Sequence, residues 1–341
     1  MIRFDSDYLE GCHPSILKRL QDTNFEQTPG YGLDPHCERA AALIRTACDA
    51  PEAAVHFLVG GTQTNATVIS SILRPYQGVI ASSCAHINVH ETGAIEHSGH
   101  KVLALPATEG KISAQQIRQA LEDHYTDPNA EHMVQPAMVY LSFPTELGTI
   151  YSKEELTAIS AVCRDWEIPL FIDGARLGYG LESSANNLLL KDIATLADIF
   201  YIGGTKQGAL FGEAVVIANK DLQKEFRYNI KQGGGMLAKG RLLGIQFETL
   251  FEDSLYFKLS RQADKLAEDL TERLRRKGYS FLVEGHTNQV FPILDNATID
   301  RLSEDFGFEV WQKVDESHSA VRFCTSWAST PEMVKALLAA L

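Results

Sequence analysis

Seven short apolar segments between residues 52 and 219 restrict the possible folds of this chain more than any other feature of its sequence. Most are continuous runs without alternating polar residues, as is typical of strands covered on both faces in a parallel sheet. Amphipathic stretches separate them, so the pattern predicts a doubly wound α/β fold whose seven-stranded sheet is mostly parallel. The predicted strands are residues 55–59, 79–82, 102–105, 138–142, 170–173, 199–203 and 214–218.

The helices between the strands have recognisable starting residues, such as the capping box formed by Ser152 and Glu155. After residue 219 the alternation ends, and a long helix is predicted over residues 237–277. Short strands over residues 281–284, 289–294 and 320–325 are predicted to follow, together with helices over residues 298–306 and 331–341. We therefore predict three parts. They are an N-terminal segment packing on the body (residues 1–25), a large α/β domain (residues 26–245) and a smaller C-terminal α+β domain (residues 246–341).

The composition narrows the classes of function. The 341-residue chain has a formal net charge of −13 and no long run of like charges, so neither nucleic acid nor a membrane surface is a predicted partner. No apolar stretch has the length of a membrane span and the first residues do not resemble a signal peptide, so we predict a cytosolic location. The six cysteines contain no Cys-x-x-Cys pair, and no metal site is predicted.

A lysine in a glycine-rich loop gives the first indication of chemistry. Lys206 lies in the segment Gly-Gly-Thr-Lys-Gln-Gly at residues 203–208, directly after one predicted strand, and Asp173 ends another. Because parallel strands end at one edge of a sheet, these residues predict a cofactor site there. Lys206 fits the Schiff-base lysine of a pyridoxal phosphate (PLP) enzyme, and Asp173 fits the acid that keeps the pyridine nitrogen protonated. The alternatives are a solvated loop lysine and a helix-capping aspartate.

The turn Gly60-Gly61-Thr62 is the candidate for an anion site. It links a predicted strand to a predicted helix, and free N–H groups at a helix start favour a phosphate. An ordinary turn with Thr62 as the N-cap is the alternative.

Three further side chains suit a cofactor or a substrate. His86 follows a strand at the same edge, where it stacks on a flat ring, acts as a base or only caps a helix. Arg176 is either a surface residue or a donor to the cofactor and the substrate. Arg322 lies within an apolar strand, so it binds either a substrate carboxylate or a structural acid.

In their order and spacing, these segments resemble the low-specificity L-threonine aldolase and β-eliminating lyase family of fold-type I PLP enzymes. The resemblance covers nearly the whole chain and implies an aspartate-aminotransferase-like large domain beside the smaller C-terminal domain. It rests on residues 4–7, 31–34, 61–63, 85–86, 173–176, 203–206 and 321–323.

The resemblance also implies roles for individual residues. Lys206 would carry PLP, Asp173 would pair with the pyridine nitrogen, and His86 would stack on the ring. Gly61 and Thr62 would hold the phosphate. The residues implied to meet the substrate or a neighbouring subunit's cofactor are Ser6, Tyr31, Arg176, Arg322 and Lys239, the last in preference to Lys231. A homodimer or homotetramer with shared active sites is therefore expected.

The implied reaction is the retro-aldol cleavage of L-threonine or L-allo-threonine to glycine and acetaldehyde, with His86, His132 or water as the base. β-Elimination, transamination and racemisation use the same lysine, aspartate and arginine, so they remain alternatives. The segment Phe-Pro-Thr-Glu-Leu-Gly at residues 143–148 departs from the Glu-Asn-Thr-His-Asn pattern of many family members, and Thr205 replaces a commoner serine. These departures leave the substrate preference open. A non-catalytic scaffold or a nucleotide-binding oxidoreductase is disfavoured, because lysine and aspartate are both present and no glycine fingerprint occurs.

Overall fold

The computed structural model describes residues 1–341 and contains thirteen strands. They are β1 (Ile2–Arg3), β2 (Ala54–Leu58), β3 (Gln77–Ser82), β4 (Lys101–Leu105), β5 (Gln135–Ser142), β6 (Leu170–Asp173), β7 (Ile199–Gly203), β8 (Glu213–Ile217), β9 (Gln289–Val290), β10 (Ile293–Asp295), β11 (Phe306–Gly307), β12 (Glu309–Lys313) and β13 (His318–Cys324).

Seven of these strands form one sheet in the order β2-β8-β7-β6-β5-β3-β4. Strand β8 runs antiparallel to both of its neighbours, and all other neighbouring pairs are parallel. The predicted mostly parallel, seven-stranded sheet is confirmed, with every strand end within three residues of its predicted position.

Fourteen α-helices connect and cover the strands. They are α1 (Pro14–Asp22), α2 (Pro35–Ala47), α3 (Gly61–Ile72), α4 (His86–Val89), α5 (Ala94–His97), α6 (Ala114–Thr126), α7 (Lys153–Asp165), α8 (Leu177–Glu182), α9 (Leu190–Leu196), α10 (Phe226–Gln232), α11 (Arg241–Phe251), α12 (Leu255–Arg276), α13 (Asn296–Ser303) and α14 (Pro331–Ala340).

The central strands are buried on both faces, which explains their continuous apolar sequences. Ile172 and Phe200 belong to the apolar core on one face of the sheet, whereas their neighbours Phe171 and Tyr201 belong to the core on the other. Successive side chains of a strand point to opposite faces, so a strand between two helical layers needs apolar residues at every position.

The local signals for helix starts and ends are only partly reliable in this chain. The capping box at Ser152 and Glu155 is present, with both reciprocal hydrogen bonds formed. The helix predicted over residues 237–277 is wrong in its middle, where Asp253 and Ser254 adopt positive φ angles of 49° and 57° and separate α11 from α12. No glycine or proline marks this break, so the helical periodicity continues through it in the sequence.

The C-terminal part of the chain contains a small antiparallel sheet in the order β10-β13-β12, with β9 also paired to β13. Strand β12 lies at its edge and is mostly exposed, and its mixed composition predicted no strand. The strand expected over residues 281–284 is reduced to one bridge between Phe281 and Pro292. Helices α12 and α14 contribute Leu270 and Leu337 to the core of this part.

The N-terminal residues join this C-terminal part rather than the large sheet. Strand β1 pairs in parallel with β11, and Phe4 is fully buried against Phe323. Helix α1 then packs against α11. The domain limits stay a prediction, and the limit drawn between residues 245 and 246 falls inside α11.

None of the fourteen helices combines the length and the apolar character needed to cross a bilayer. All six cysteines are free thiols, and five of them are buried, where they pack as small apolar side chains. No group of three or more His, Cys, Asp or Glu side chains is arranged to hold a metal ion.

The close crossing of α2 and α11 depends on Gly244. A Cβ at this position would lie 2.5 Å from the Cys37 backbone nitrogen and 2.6 Å from its Sγ. Gly244→Ala is therefore expected to push the helices apart and lower the free energy of unfolding by about 1–3 kcal/mol, measured by urea denaturation. Gly11→Ala is the control, because its Cβ would meet nothing closer than 3.9 Å. Equal stability of the two variants would contradict this account of the crossing.

Candidate active site

Most of the functional side chains predicted from the sequence meet at the edge of the large sheet where its parallel strands end. A cavity of about 320 Å³ opens there. The predicted residues in its wall are Gly61, Thr62, His86, Asp173, Arg176 and Lys206. They come from four separate stretches of the chain, and the sheet brings them together because its parallel strands share one carboxyl edge.

Asp173 is buried at the end of β6, and both of its carboxylate oxygens accept hydrogen bonds. The Tyr140 hydroxyl donates to Oδ2 and the Tyr201 hydroxyl donates to Oδ1. The Asn65 amide also donates to Oδ2, at 3.0 Å. Burial alone would raise the pKa of Asp173, but the charge of a protonated His86 and the two tyrosine hydroxyls lower this pKa below its usual value. The carboxylate is therefore held in its charged form in the cavity wall.

Lys206 lies in the loop after β7, and its amine interacts with the acidic side chain of Glu213. Burial and the charge of Arg176 lower the pKa of the Lys206 amine, which enlarges the fraction of the neutral, nucleophilic form. Glu213 begins the adjacent strand β8 and accepts hydrogen bonds from the Thr205 hydroxyl at 2.9 Å and the Gly204 N–H at 3.3 Å. Burial raises the pKa of Glu213, although the Lys206 charge acts in the opposite direction.

His86 begins α4, and two carboxylates hold it in place. Its Nδ1 bonds to the buried Glu91 carboxylate at 2.8 Å, and its backbone N–H donates to Glu146 Oε1 at 2.8 Å. The Asn65 amide bonds to the same Glu91 oxygen and also to Asp173. A chain of hydrogen bonds thus connects His86 with Asp173, and it fixes the orientation of the imidazole ring while leaving Nε2 uncommitted.

The turn between β2 and α3 has no side-chain cap. Gly60 is the N-cap and α3 begins at Gly61, so the alternative in which Thr62 caps the helix is wrong. The first N–H groups of a helix have no partners within it, and they are therefore available to an anion here. A Cβ on Gly61 would lie 3.1 Å from the Tyr201 hydroxyl, so a side chain at this position would crowd the cavity.

Arg176 lines the cavity and is also bound to the N-terminal segment. Its Nε and Nη2 donate to the two oxygens of Asp7 at 2.7 and 3.0 Å, and the Asn288 amide donates to Asp7 at 2.9 Å. Burial would raise the pKa of Asp7, but the charges of Arg176 and Lys206 lower it, so this buried carboxylate stays ionised. The bidentate pair fixes the guanidinium plane and leaves Nη1 for a ligand.

Ser6 and Arg322 are not part of the cavity wall in this structure. Arg322 pairs with Glu309, donates to the Asp5 carbonyl at 3.1 Å, and lies 5.1 Å from the centre of the Trp311 ring. The Ser6 hydroxyl and the Arg322 Nε are nevertheless buried without a hydrogen-bond partner. Two such donors fit an anionic ligand group such as a carboxylate.

Three other predicted residues lie away from the cavity. Tyr31 lines a separate surface groove, with the Lys231 amine 4.9 Å from the centre of its ring. Lys239 is exposed in the turn before α11. His132 ends a short turn (Ala130–His132) and lines another groove together with Lys101, so the structure does not bring it to His86.

The structure also brings polar groups to the cavity or to Asp173 that the sequence analysis missed. Tyr140 and Tyr201 are polar residues within the apolar runs next to the strand of Asp173, and that position was an available signal. Glu146 and Glu213 are single acidic residues near strand ends, where acids are common, so no sequence pattern distinguishes them.

The cavity residues fit the chemistry of a PLP molecule. The start of α3 suits its phosphate, the ionised Asp173 suits its pyridine nitrogen, and Lys206 suits its aldehyde carbon. His86 lies where an imidazole ring can cover the cofactor ring. Gly61 keeps the cavity open beside Tyr201.

The sheet order and the cavity at its carboxyl edge define the class of protein, an enzyme with an aspartate-aminotransferase-like fold. A solved structure of Leishmania major threonine aldolase is 44% identical, with a TM-score of 0.97 over 99% of this chain and 98% of that chain. A mutant aspartate aminotransferase of Thermus thermophilus resembles it in fold alone, with 15% identity and a TM-score of 0.72 over 100% of this chain and 90% of that chain.

The sequence comparisons define the family. The low specificity L-threonine aldolase of Pseudomonas aeruginosa is 30% identical over 98% of this chain and 95% of its own length. The model of the β-eliminating lyase family matches residues 4–297. The chain therefore belongs to the β-eliminating lyase family, as the resemblance predicted, and this family and fold are PLP-dependent.

The buried pair of Asp7 and Arg176 generates a prediction about stability. Asp7→Asn is expected to lower the free energy of unfolding by about 3–5 kcal/mol, because it leaves a buried guanidinium without a counter-charge. Asp5→Asn is the matched control, since the partner of Asp5 is the exposed Arg3, and its cost is expected to be about 1 kcal/mol or less. Urea denaturation of both variants measures the difference, and equal losses would contradict the special role of the buried pair.

Proposed function

We propose that this enzyme binds PLP through Lys206 and cleaves L-threonine and L-allo-threonine to glycine and acetaldehyde. The observation that carries the proposal is that one cavity combines the Lys206 amine with the hydrogen-bonded carboxylate of Asp173, from the ends of two neighbouring strands. The likeness to the threonine aldolases of Leishmania major and Pseudomonas aeruginosa directs the proposal to β-hydroxy amino acids.

Different cavity residues would bind different parts of the cofactor. The N–H groups at the start of α3 and the Thr62 hydroxyl would hold the phosphate. Asp173 would accept a hydrogen bond from the pyridine N–H, His86 would cover one face of the ring, and Lys206 would be the point of attachment for the aldehyde carbon. When bound, PLP supplies a sink for the electron pair that is left at Cα.

The arginines orient the substrate. Arg176 Nη1, the Ser6 hydroxyl and Arg322 Nε would hold the α-carboxylate, and charge-assisted hydrogen bonds from these separate donors would fix the direction of that group. Fixing the carboxylate sets the rotation about the bond from nitrogen to Cα. Because the orientation of the substrate decides which bond at Cα would break, these donors would favour cleavage between Cα and Cβ.

β-Elimination is the second candidate function, because the family model that matches residues 4–297 has that description. It breaks the bond from Cβ to a leaving group after the Cα proton is removed. The same lysine, aspartate and arginines serve it, and only the orientation of the substrate and the position of the base differ.

The enzyme is a homodimer or a homotetramer with shared active sites, located in the cytosol. Large apolar side chains support the association, since Phe25 and Leu33 are 93% and 66% exposed in the single chain. Tyr31 and Lys239 lie on the surface outside their own cavity, where they can reach the cavity of a second subunit.

Lys206→Arg tests the attachment of the cofactor. Borohydride reduction and peptide mapping of the wild type are expected to place the cofactor on the peptide containing Lys206, and the variant is expected to retain none. Cleavage of L-threonine is expected to fall at least about 100-fold, because a lysine that binds and transfers protons is lost. Lys191→Arg, on the exposed surface of α9, is the control. Cofactor fixed at another lysine of the wild type would refute the assignment.

A product assay separates the reaction types. Incubation with L-threonine and L-allo-threonine is expected to release glycine and acetaldehyde in equal amounts, measured by chromatography and by reduction of the aldehyde. L-Serine and L-cysteine serve as comparison substrates, because they carry leaving groups for β-elimination. Ammonia and 2-oxobutanoate from threonine, or ammonia and pyruvate from serine and cysteine, without glycine from threonine, would overturn the aldolase assignment and favour the second candidate.

A further inference from the structure

One carboxyl group of the cavity is anchored through only one of its oxygens. Glu146 follows β5, and its Oε1 accepts hydrogen bonds from the His86 N–H at 2.8 Å and from the Ser142 hydroxyl at 2.6 Å. Its Oε2 has no hydrogen-bond partner in the protein, and Glu146 lines the cavity. Two donors thus fix the carboxyl group while one oxygen stays free for a ligand.

The other acidic and phenolic groups of the cavity wall are already committed. Asp173 accepts from two tyrosine hydroxyls, and Tyr201 donates to it. Glu213 accepts hydrogen bonds at both of its oxygens. Tyr8 also lines the cavity, but it is 54% exposed and makes no hydrogen bond that orients it. Glu146 is therefore the one shielded carboxyl group of the wall with an uncommitted oxygen.

We propose that Glu146 is the catalytic residue that takes the proton of the substrate β-hydroxyl group. The inference deepens the proposed function and rests on it. The O–H bond breaks and its proton passes to Oε2. The O–H electron pair forms the second bond of the aldehyde C=O, and the pair of the broken Cα–Cβ bond stays at Cα, where a proton then completes glycine. No oxidant or further reactant is needed.

The surroundings of Glu146 suit this role. Burial raises the pKa of its carboxyl group, the Ser142 hydroxyl opposes that effect, and the charge of Asp173 adds to it. The other titratable side chains that interact with it are Tyr140, Tyr151 and Cys84, whereas His86 contacts it through its backbone N–H. A base whose pKa lies nearer to neutrality transfers a proton in both directions more readily than an ordinary carboxylate does.

His86 is the competing base, and its contacts favour another task. Its Nδ1 is bound to Glu91, so its ring is fixed in one plane. If this fixed ring covers the cofactor, as proposed above, a second group is needed to take the proton of the β-hydroxyl group. Glu146 Oε2 has no hydrogen-bond partner, and Glu146 lies on the side of the cavity formed by the loop after β5.

Glu146→Gln tests the inference, because the amide keeps an oxygen for the His86 N–H and Ser142 but cannot take a proton. The turnover number for cleavage of L-threonine is expected to fall about 10²- to 10⁴-fold. Exchange of a glycine α-proton with deuterated water is expected to stay near the wild-type rate, because this exchange breaks no O–H bond. It is measured by NMR on the same holoenzyme.

The pH profile gives a signature that a merely structural role would not change. Protonation of Glu146 removes the base, so kcat/KM of the wild type is expected to fall as the pH is lowered through the pKa of this carboxyl group. Ser142→Ala removes a donor that lowers this pKa and is expected to move the acidic limb to higher pH, whereas the limb is expected to be absent in Glu146→Gln. The carboxylic-acid C=O band of Glu146 in infrared spectra of the protein titrates in parallel, and this readout needs no turnover.

The outcomes separate the two proposals. A wild type that neither cleaves threonine nor exchanges glycine protons overturns the proposed function. Wild-type cleavage that persists in Glu146→Gln overturns only the role of Glu146. Loss of both reactions in Glu146→Gln also overturns it, because a base for the β-hydroxyl group is not needed in the exchange. An unchanged acidic limb in Ser142→Ala argues against Glu146 even if Glu146→Gln does not fold.

Discussion

The arrangement of the site depends on keeping one carboxylate charged away from water. An ionised aspartate inside a protein is stable only when its oxygens are hydrogen-bonded or paired with positive charge. Asp173 obtains these partners from β5, β7 and α3, through Tyr140, Tyr201 and Asn65. The need to satisfy this group therefore fixes three neighbouring elements relative to β6. The same Asn65 continues the hydrogen-bond chain to Glu91, which orients His86.

Much of the fold was predictable because its strongest signals are local. A strand buried on both faces needs a continuous apolar run, and Leu170–Asp173 and Ile199–Gly203 were located at their observed limits. Asp173 and Lys206 stand at or just beyond the ends of such runs, and this position alone predicts that both residues lie at one edge of the sheet. The motif order along the chain also indicated the family, which the match over residues 4–297 confirms.

What the sequence did not predict depends on contacts between distant residues. Arg176 was expected to bind a cofactor or a substrate, but its bidentate partner, Asp7, is 169 positions away. The turn at Asp253 and Ser254 has no glycine, so its left-handed geometry follows from packing rather than local preference. Nothing in the sequence was a reason to select Glu146, because its hydrogen bonds to the His86 N–H and the Ser142 hydroxyl are seen only in the folded structure.

The pairing of the N-terminus with the C-terminal part also constrains how the chain folds during synthesis. The Cys324 N–H donates to the Phe4 carbonyl at 2.7 Å, and Ile2 lies opposite Phe306 in a strand pair. These contacts join residues 2–4 with residues 306–324, so the first residues find these partners only after residues 306–324 have been synthesised. Ser6 and Asp7 follow Phe4 closely in the sequence, and Asp7 orients Arg176 in the cavity wall, so these two positions are also fixed late. A nascent chain at the ribosome is thus unable to form these contacts until residue 324 has been synthesised.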